Sequence, residues 1–94
     1  MQDFRGKLSD GDRIISEQIE GRFSYTHQPR AWSGYFFLPN DLIGAIFGPA
    51  LNVGPYRLDM EDSASINIII DTFQIQSRWD VALVQFTSTG GPLN

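Results

Sequence analysis

Ile19-Glu20-Gly21-Arg22-Phe23-Ser24-Tyr25 decides the fold: Ile19, Gly21, Phe23 and Tyr25 share one parity, and Glu20, Arg22 and Ser24 share the other. A period of two sends successive side chains to opposite faces of an extended chain, whereas a helix needs apolar residues at three- and four-residue intervals. The segment reads as a half-buried β-strand. Upstream the pattern is less decided. Ile14, Ile15, Gln18 and Ile19 also fit a helical stripe, with Asp12 as N-cap and Gly21 as stop. Strand is preferred for residues 13–18, and helix stays open there.

Working outward, Phe4, Gly6 and Leu8 alternate with Arg5 and Lys7, and Ser9-Asp10-Gly11-Asp12 supplies residues that tolerate positive φ in a tight turn. Downstream, His27-Gln28-Pro29-Arg30 reads as a loop, because Pro29 removes a ladder donor and biases Gln28 to extended geometry. A strand over residues 32–38 follows and ends at Pro39. Asn40 then caps a short helix in which Leu42, Ile43, Ile46 and Phe47 share a face, and Gly48-Pro49 stops it. Such a helix, lying across an open end of a sheet or barrel, would bury that stripe.

Leu51 and Val53 tether a loop over residues 50–55. Alternation resumes with Tyr56, Leu58 and Met60 against Arg57, Asp59 and Glu61, and Asp62-Ser63-Ala64-Ser65 reverses the chain. Ile66, Ile68 and Ile70 share the next face, Phe73 and Ile75 follow, and Gln76-Ser77-Arg78 makes a further turn. The last strand carries Trp79, Val81 and Leu83 on one parity and Asp80, Ala82, Val84 and Phe86 on the other. The fold class expected is all-β with one short helix: a small antiparallel meander of about six strands, closing into a barrel or a two-sheet roll so that one face is buried. A parallel βαβ arrangement would need helices of about 10 to 15 residues between strands, and none is present. Residues 1–89 form the single domain expected, with residues 90–94 a frayed tail.

At 94 residues the chain is long enough for one modest core, exposing roughly 5,500 Å² when folded by size scaling. With no cysteine, disulfide frameworks, thiol nucleophiles, zinc ribbons and iron–sulfur clusters are excluded. The polar opening MQDFRGKLSD has no apolar stretch of a secretory signal, and no later run approaches a membrane span, so a soluble, cytoplasmic protein is expected. The net charge is −4, and beyond residue 30 only Arg57 and Arg78 face six carboxylates. Phosphate backbones need clustered Lys and Arg, so nucleic acid and membrane surfaces are not expected partners. No cofactor is expected either.

Candidate chemistry is thin. His27 is the single imidazole, and Ser24, Ser33 or Asp41 could supply partners in letters only, without a nucleophile elbow. Asp59, Glu61, Asp62, Asp71 and Asp80 lack the spacing of a calcium loop, and they read as a solvated sheet face carrying Arg57, with Arg78 able to pair across strands. The glycine-rich run over residues 48–55 lacks the Lys-Ser or Lys-Thr of a phosphate loop. An enzyme is therefore not the favoured reading.

Two features exceed this background. Phe4-Arg5-Gly6-Lys7-Leu8, Ile19-Glu20-Gly21-Arg22-Phe23 and Trp32-Ser33-Gly34-Tyr35-Phe36 echo one another, each with a glycine on its apolar parity. The structural reading is strong strand coiling with a neighbouring ring over the gap, and the functional one is an inner cleft. Hydrophobicity is also two-sided. If Trp32, Phe36, Leu38, Ile66, Ile68, Ile70, Trp79, Val81 and Leu83 face the core, then Tyr35, Phe37, Ile69, Val84 and Phe86 point outward and mark a candidate interaction surface. The function expected is a non-enzymatic binding or assembly module acting through that aromatic face, on a protein partner or in a homo-oligomer. The alternative is a small-molecule barrel of lipocalin-like or avidin-like type, with Trp32, Tyr56 and Trp79 lining the pocket.

Overall fold

A computed structural model describes residues 1–27, 30–46, 55–61, 65–76 and 78–93. The strands are β1 (Gln2–Asp10), β2 (Arg13–His27), β3 (Arg30–Pro39), β4 (Tyr56–Met60), β5 (Ser65–Gln76) and β6 (Val81–Leu93), with one helix, α1 (Asn40–Ile46), between β3 and β4. They close into an antiparallel barrel in the order β1-β2-β3-β6-β5-β4, so the expected six-stranded closure is found. Two three-stranded meanders, β1-β2-β3 and β4-β5-β6, make up the cylinder. The long β3–β4 connection brings β4 back beside β1, which gives β4-β1-β2-β3 the order of a Greek key.

Residues 13–18 belong to β2, resolving the open choice in favour of strand. The first hairpin turns at Gly11, whose φ is +60°. α1 packs at one end of the barrel, burying Ile43, with Leu42 against the core. Asn40 opens this helix without a side-chain cap: its N–H donates to the Asp80 carbonyl at 3.0 Å, while its Oδ1 accepts no hydrogen bond. β6 runs through Gly90-Gly91-Pro92 to Leu93, which pairs with Ser65, where a tail was expected. No helix among the described residues is long and apolar enough to cross a membrane. Phe47, the Gly48-Pro49 stop, Leu51, Val53, Gln28-Pro29 and Asp62-Ser63-Ala64 lie outside the described residues.

The three echoed glycines explain how so short a chain curls shut. Gly21 sits between Phe4 of β1 and Phe36 of β3, and Gly34 between Phe23 of β2 and Phe86 of β6. A Cβ built on Gly21 would meet the Tyr35 carbonyl and lie 2.7 Å from Phe36 Cα; one on Gly34 would meet the Arg22 carbonyl and lie 2.7 Å from Phe23 Cα. Real side-chain carbons do not approach backbone so closely, so only glycine fits. Large side chains fill the inward gaps, as the taper of a small barrel requires. Phe4 meets Phe23 and Phe86 edge-on at 5.8 and 6.2 Å, and Phe36 lies 5.8 Å from Phe86. The cleft reading of the glycines is thereby replaced by close packing.

One face assignment is corrected. Ala82, Val84 and Phe86 are the buried residues of β6, and Phe86 is 1% exposed, whereas Val81 and Leu83 are only partly covered and Trp79 is 71% exposed. Trp79 belongs to the turn before β6, where Asp80 adopts φ 58°, so the strand's parity starts anew at Val81. Gln85, which shares a parity with Val81 and Leu83, is the polar residue that marks this side as outward.

Candidate functional site

Alternation places the outward side chains of β1, β2 and β3 in cross-strand rows. One row runs Asp3, Arg22, Tyr35, Gln85 and Thr72, and the next runs Arg5, Glu20, Phe37, Leu83 and Gln74. Within them Arg22 Nε pairs with Asp3 Oδ1 at 3.0 Å and Arg5 Nε with Glu20 Oε1 at 3.2 Å. Both pairs are solvent-exposed, so they organise the surface more than they stabilise it. Thr72 Oγ1 donates to Gln85 Oε1 at 2.6 Å on the far side. Between these polar flanks the Tyr35 and Phe37 rings meet edge-to-face, centroids 5.8 Å apart. Phe37 is 44% exposed and Tyr35 is half-buried.

Beside these rings lies an open groove of about 630 Å³. Phe4 and Gly21 contribute to its floor; Asp3, Arg5, Glu20, Arg22 and Glu61 supply its charges. Glu61 follows β4, fixed by its N–H donating to the Arg5 carbonyl at 2.9 Å. It makes no ion pair among the described residues, so the groove has one carboxylate to spare after its two arginines are matched. The face therefore combines an aromatic centre with a polar rim of mixed charge.

The candidate residues named from sequence are only partly united here. Tyr35 and Phe37 are neighbours on the outer face of β3. Ile69, 37% exposed, is also outward, but two strands away on β5 opposite Thr87. Val84 and Phe86 are removed from the surface set, being 0% and 1% exposed inside the barrel.

The pocket triplet is dispersed. Trp32 lies towards the end of the barrel opposite α1, stacked on Phe23 at 4.8 Å, its N–H accepted by Ser88 Oγ at 2.8 Å and its Nε1 buried with no hydrogen-bond partner. Tyr56 is enclosed in the core, where burial pushes its pKa up and the nearby Asp10 adds to the rise against Arg13. Trp79 stands in water on the β5–β6 turn. A small recess beside β1, lined by Phe4, Phe23 and Met60 together with the exposed Gln2, Asp3, Arg5 and Glu61, holds about 110 Å³, well short of the roughly 300 Å³ at which small-molecule pockets begin.

Sequence reasoning missed the charged wall of the groove. Arg5, Glu20 and Arg22 are outward residues of the first two echoed segments and Asp3 precedes the first on the same parity as Arg5, so their facing was readable, but their pairing depended on a register that only the fold fixes. The carboxylates of β4 and β5 behave as a solvated sheet face. Arg57 Nε holds Asp59 Oδ1 at 2.8 Å, Ser65 Oγ donates to the same oxygen, and Lys7 stands opposite. Burial alone would raise the Asp59 pKa, but the Ser65 and Arg57 hydrogen bonds, with the charges of Arg57 and Lys7, bring it below the ordinary carboxylate range. Asp71 accepts from Thr87 Oγ1 at 2.6 Å. Among the described residues no three His, Cys, Asp or Glu side chains gather to hold a metal ion. Comparison with known proteins adds no relative: no protein family, curated protein or solved structure matches the chain.

Proposed function

We propose that this protein is a non-enzymatic binding or assembly module that recognises a protein surface through the outer face of β3. A single observation carries the reading: Tyr35 and Phe37 present apolar rings beside a preformed, charge-rimmed groove on a closed barrel whose interior is occupied by its own aromatic side chains. Rings held by a rigid sheet lose little freedom on docking, which is why aromatic anchors dominate protein interfaces. The filled interior and the separation of Trp32, Tyr56 and Trp79 speak against an internal small-molecule site. A cytoplasmic setting without nucleic-acid or membrane partners suits the net charge of −4 and the scattered basic residues.

Hydroxyl-radical footprinting tests the reading. In extract of the source cells, Tyr35 and Phe37 should be oxidised more slowly than in the dilute purified protein, while Trp79 serves as a second reporter. Equal oxidation of Tyr35 and Phe37 in both samples would overturn it.

A further inference from the structure

The same molecule carries an exposed projection whose chemistry complements that groove. Trp79 is the most exposed large apolar side chain of the described residues, at 71%, and Arg78 beside it is exposed and makes no ion pair among them. The turn that bears them is braced. Trp79 N–H donates to the Gln76 carbonyl at 3.0 Å, the Asp80 carbonyl accepts from Asn40 N–H at 3.0 Å, and Asp80 adopts φ 58°, a left-handed conformation that aspartate tolerates better than most residues. A tryptophan held out in water by a fixed turn, next to an unmatched arginine, combines two of the side chains richest in interface hot spots.

The groove offers what this pair lacks. Phe37 and Tyr35 provide ring faces for an indole, and Glu61 provides the unmatched carboxylate for a guanidinium. Its volume of about 630 Å³ lies in the range that takes up a whole drug-sized ligand, ample for these two side chains. Within one chain the projection does not enter it: the groove is lined from β1, β2, β3 and Glu61, and Trp79 is not among its residues. We infer that a second copy of this chain is the occupant: the Arg78–Trp79 turn of one protomer seats in the Phe37–Glu61 groove of the next. This rests on the docking role proposed above for the β3 face. The two contact surfaces differ, so the interface is heterologous, and copies add head to tail into a ring or an open chain. A knob in a groove covers less than the roughly 1,200 Å² of a standard stable complex, so the association is weak and concentration-dependent.

Light scattering and sedimentation of the full chain from about 10 µM to about 1 mM, the low-affinity end of the binding scale, read this out. The weight-average mass should rise with concentration, and Trp79→Ala, Phe37→Ser and Glu61→Arg should each remain monomeric with an unchanged melting temperature. Mixing Trp79→Ala, which keeps a groove, with Phe37→Ser, which keeps a projection, should yield a one-to-one dimer that neither forms alone. Glu61→Arg combined with Arg78→Glu in one chain should restore association, which gives a second arm should Phe37→Ser fold poorly. A wild-type chain that is monomeric throughout, or a mixture without heterodimer together with a charge swap without rescue, overturns head-to-tail docking. If Tyr35 and Phe37 are nevertheless protected in extract, the β3 face serves a different protein and only the self-docking falls; if they are unprotected as well, both fall.

Discussion

The two meanders of the barrel differ in their use of glycine. Both carry irregular ladders, β1–β2 shifting register around Leu8 and β5–β6 between Ile66 and Ile68 and again between Ile70 and Thr72; in β1-β2-β3 an inward glycine on each strand also lets the next backbone press close, with a bulky residue across the gap, whereas in β4-β5-β6 no glycine occurs from Tyr56 to Thr89. The outer surfaces differ as well: on the first, cross-strand ion pairs flank the two rings, and on the second one ion pair within β4 accompanies threonine, glutamine and exposed isoleucine. Curvature drawn from glycine leaves the outward positions free, so the first half can carry an ordered pattern of charges and rings. Curvature drawn from bulges disturbs alternation itself.

The largest test of this contrast is Gly21→Val. The added carbons run into the Tyr35 carbonyl and the Phe36 backbone, which cannot move without opening β2 from β3. Loss of the cooperative urea transition is expected, whereas Ile68→Val in the second half should cost only about 1 kcal/mol; similar small losses at both sites would break the comparison. Next comes Phe86→Ala, expected to lower stability by about 3–5 kcal/mol because it empties the site facing Gly34. A loss below about 1 kcal/mol in denaturant titration would return Phe86 to the surface.

A smaller effect concerns pH. Because the folded state holds the Asp59 pKa down, its contribution is present above the ordinary carboxylate range and disappears as pH falls through the depressed value. Urea midpoints between pH 6 and pH 2 should decline less steeply in Asp59→Asn than in the wild type, and parallel curves would show that Ser65 and Arg57 contribute nothing there. Smallest of all, Phe37→Ser should shift stability by within about 0.5 kcal/mol, since an exposed ring on a sheet supports docking and not folding. A drop of several kcal/mol would mean that the ring belongs to the core.

Strand positions, the capping helix and the special role of Gly6, Gly21 and Gly34 were legible because local alternation and turn chemistry specify them. The inward face of β6 was not, because residues 81–84 are apolar on both parities and Gln85 alone breaks the tie. Trp79 was counted as a strand residue when a left-handed Asp80 places it in a turn. Tyr35 and Phe37 could be found as outward rings, but the groove beside them could not. It arises from Glu61 of the second meander meeting β1, a juxtaposition of residues more than fifty apart in sequence that no local pattern encodes.

The short fourth strand has a kinetic consequence. β1-β2-β3 and β4-β5-β6 are each built from sequence neighbours, so loop closure costs them little, while β4 reaches β1 only across some fifty residues and joins it over residues 57–60. That seam is the last to zip and the first to part. Amide exchange should leak earliest at β4, and a nascent chain that has emerged only as far as Pro39 exposes a curled half-shell with nothing yet to shut it.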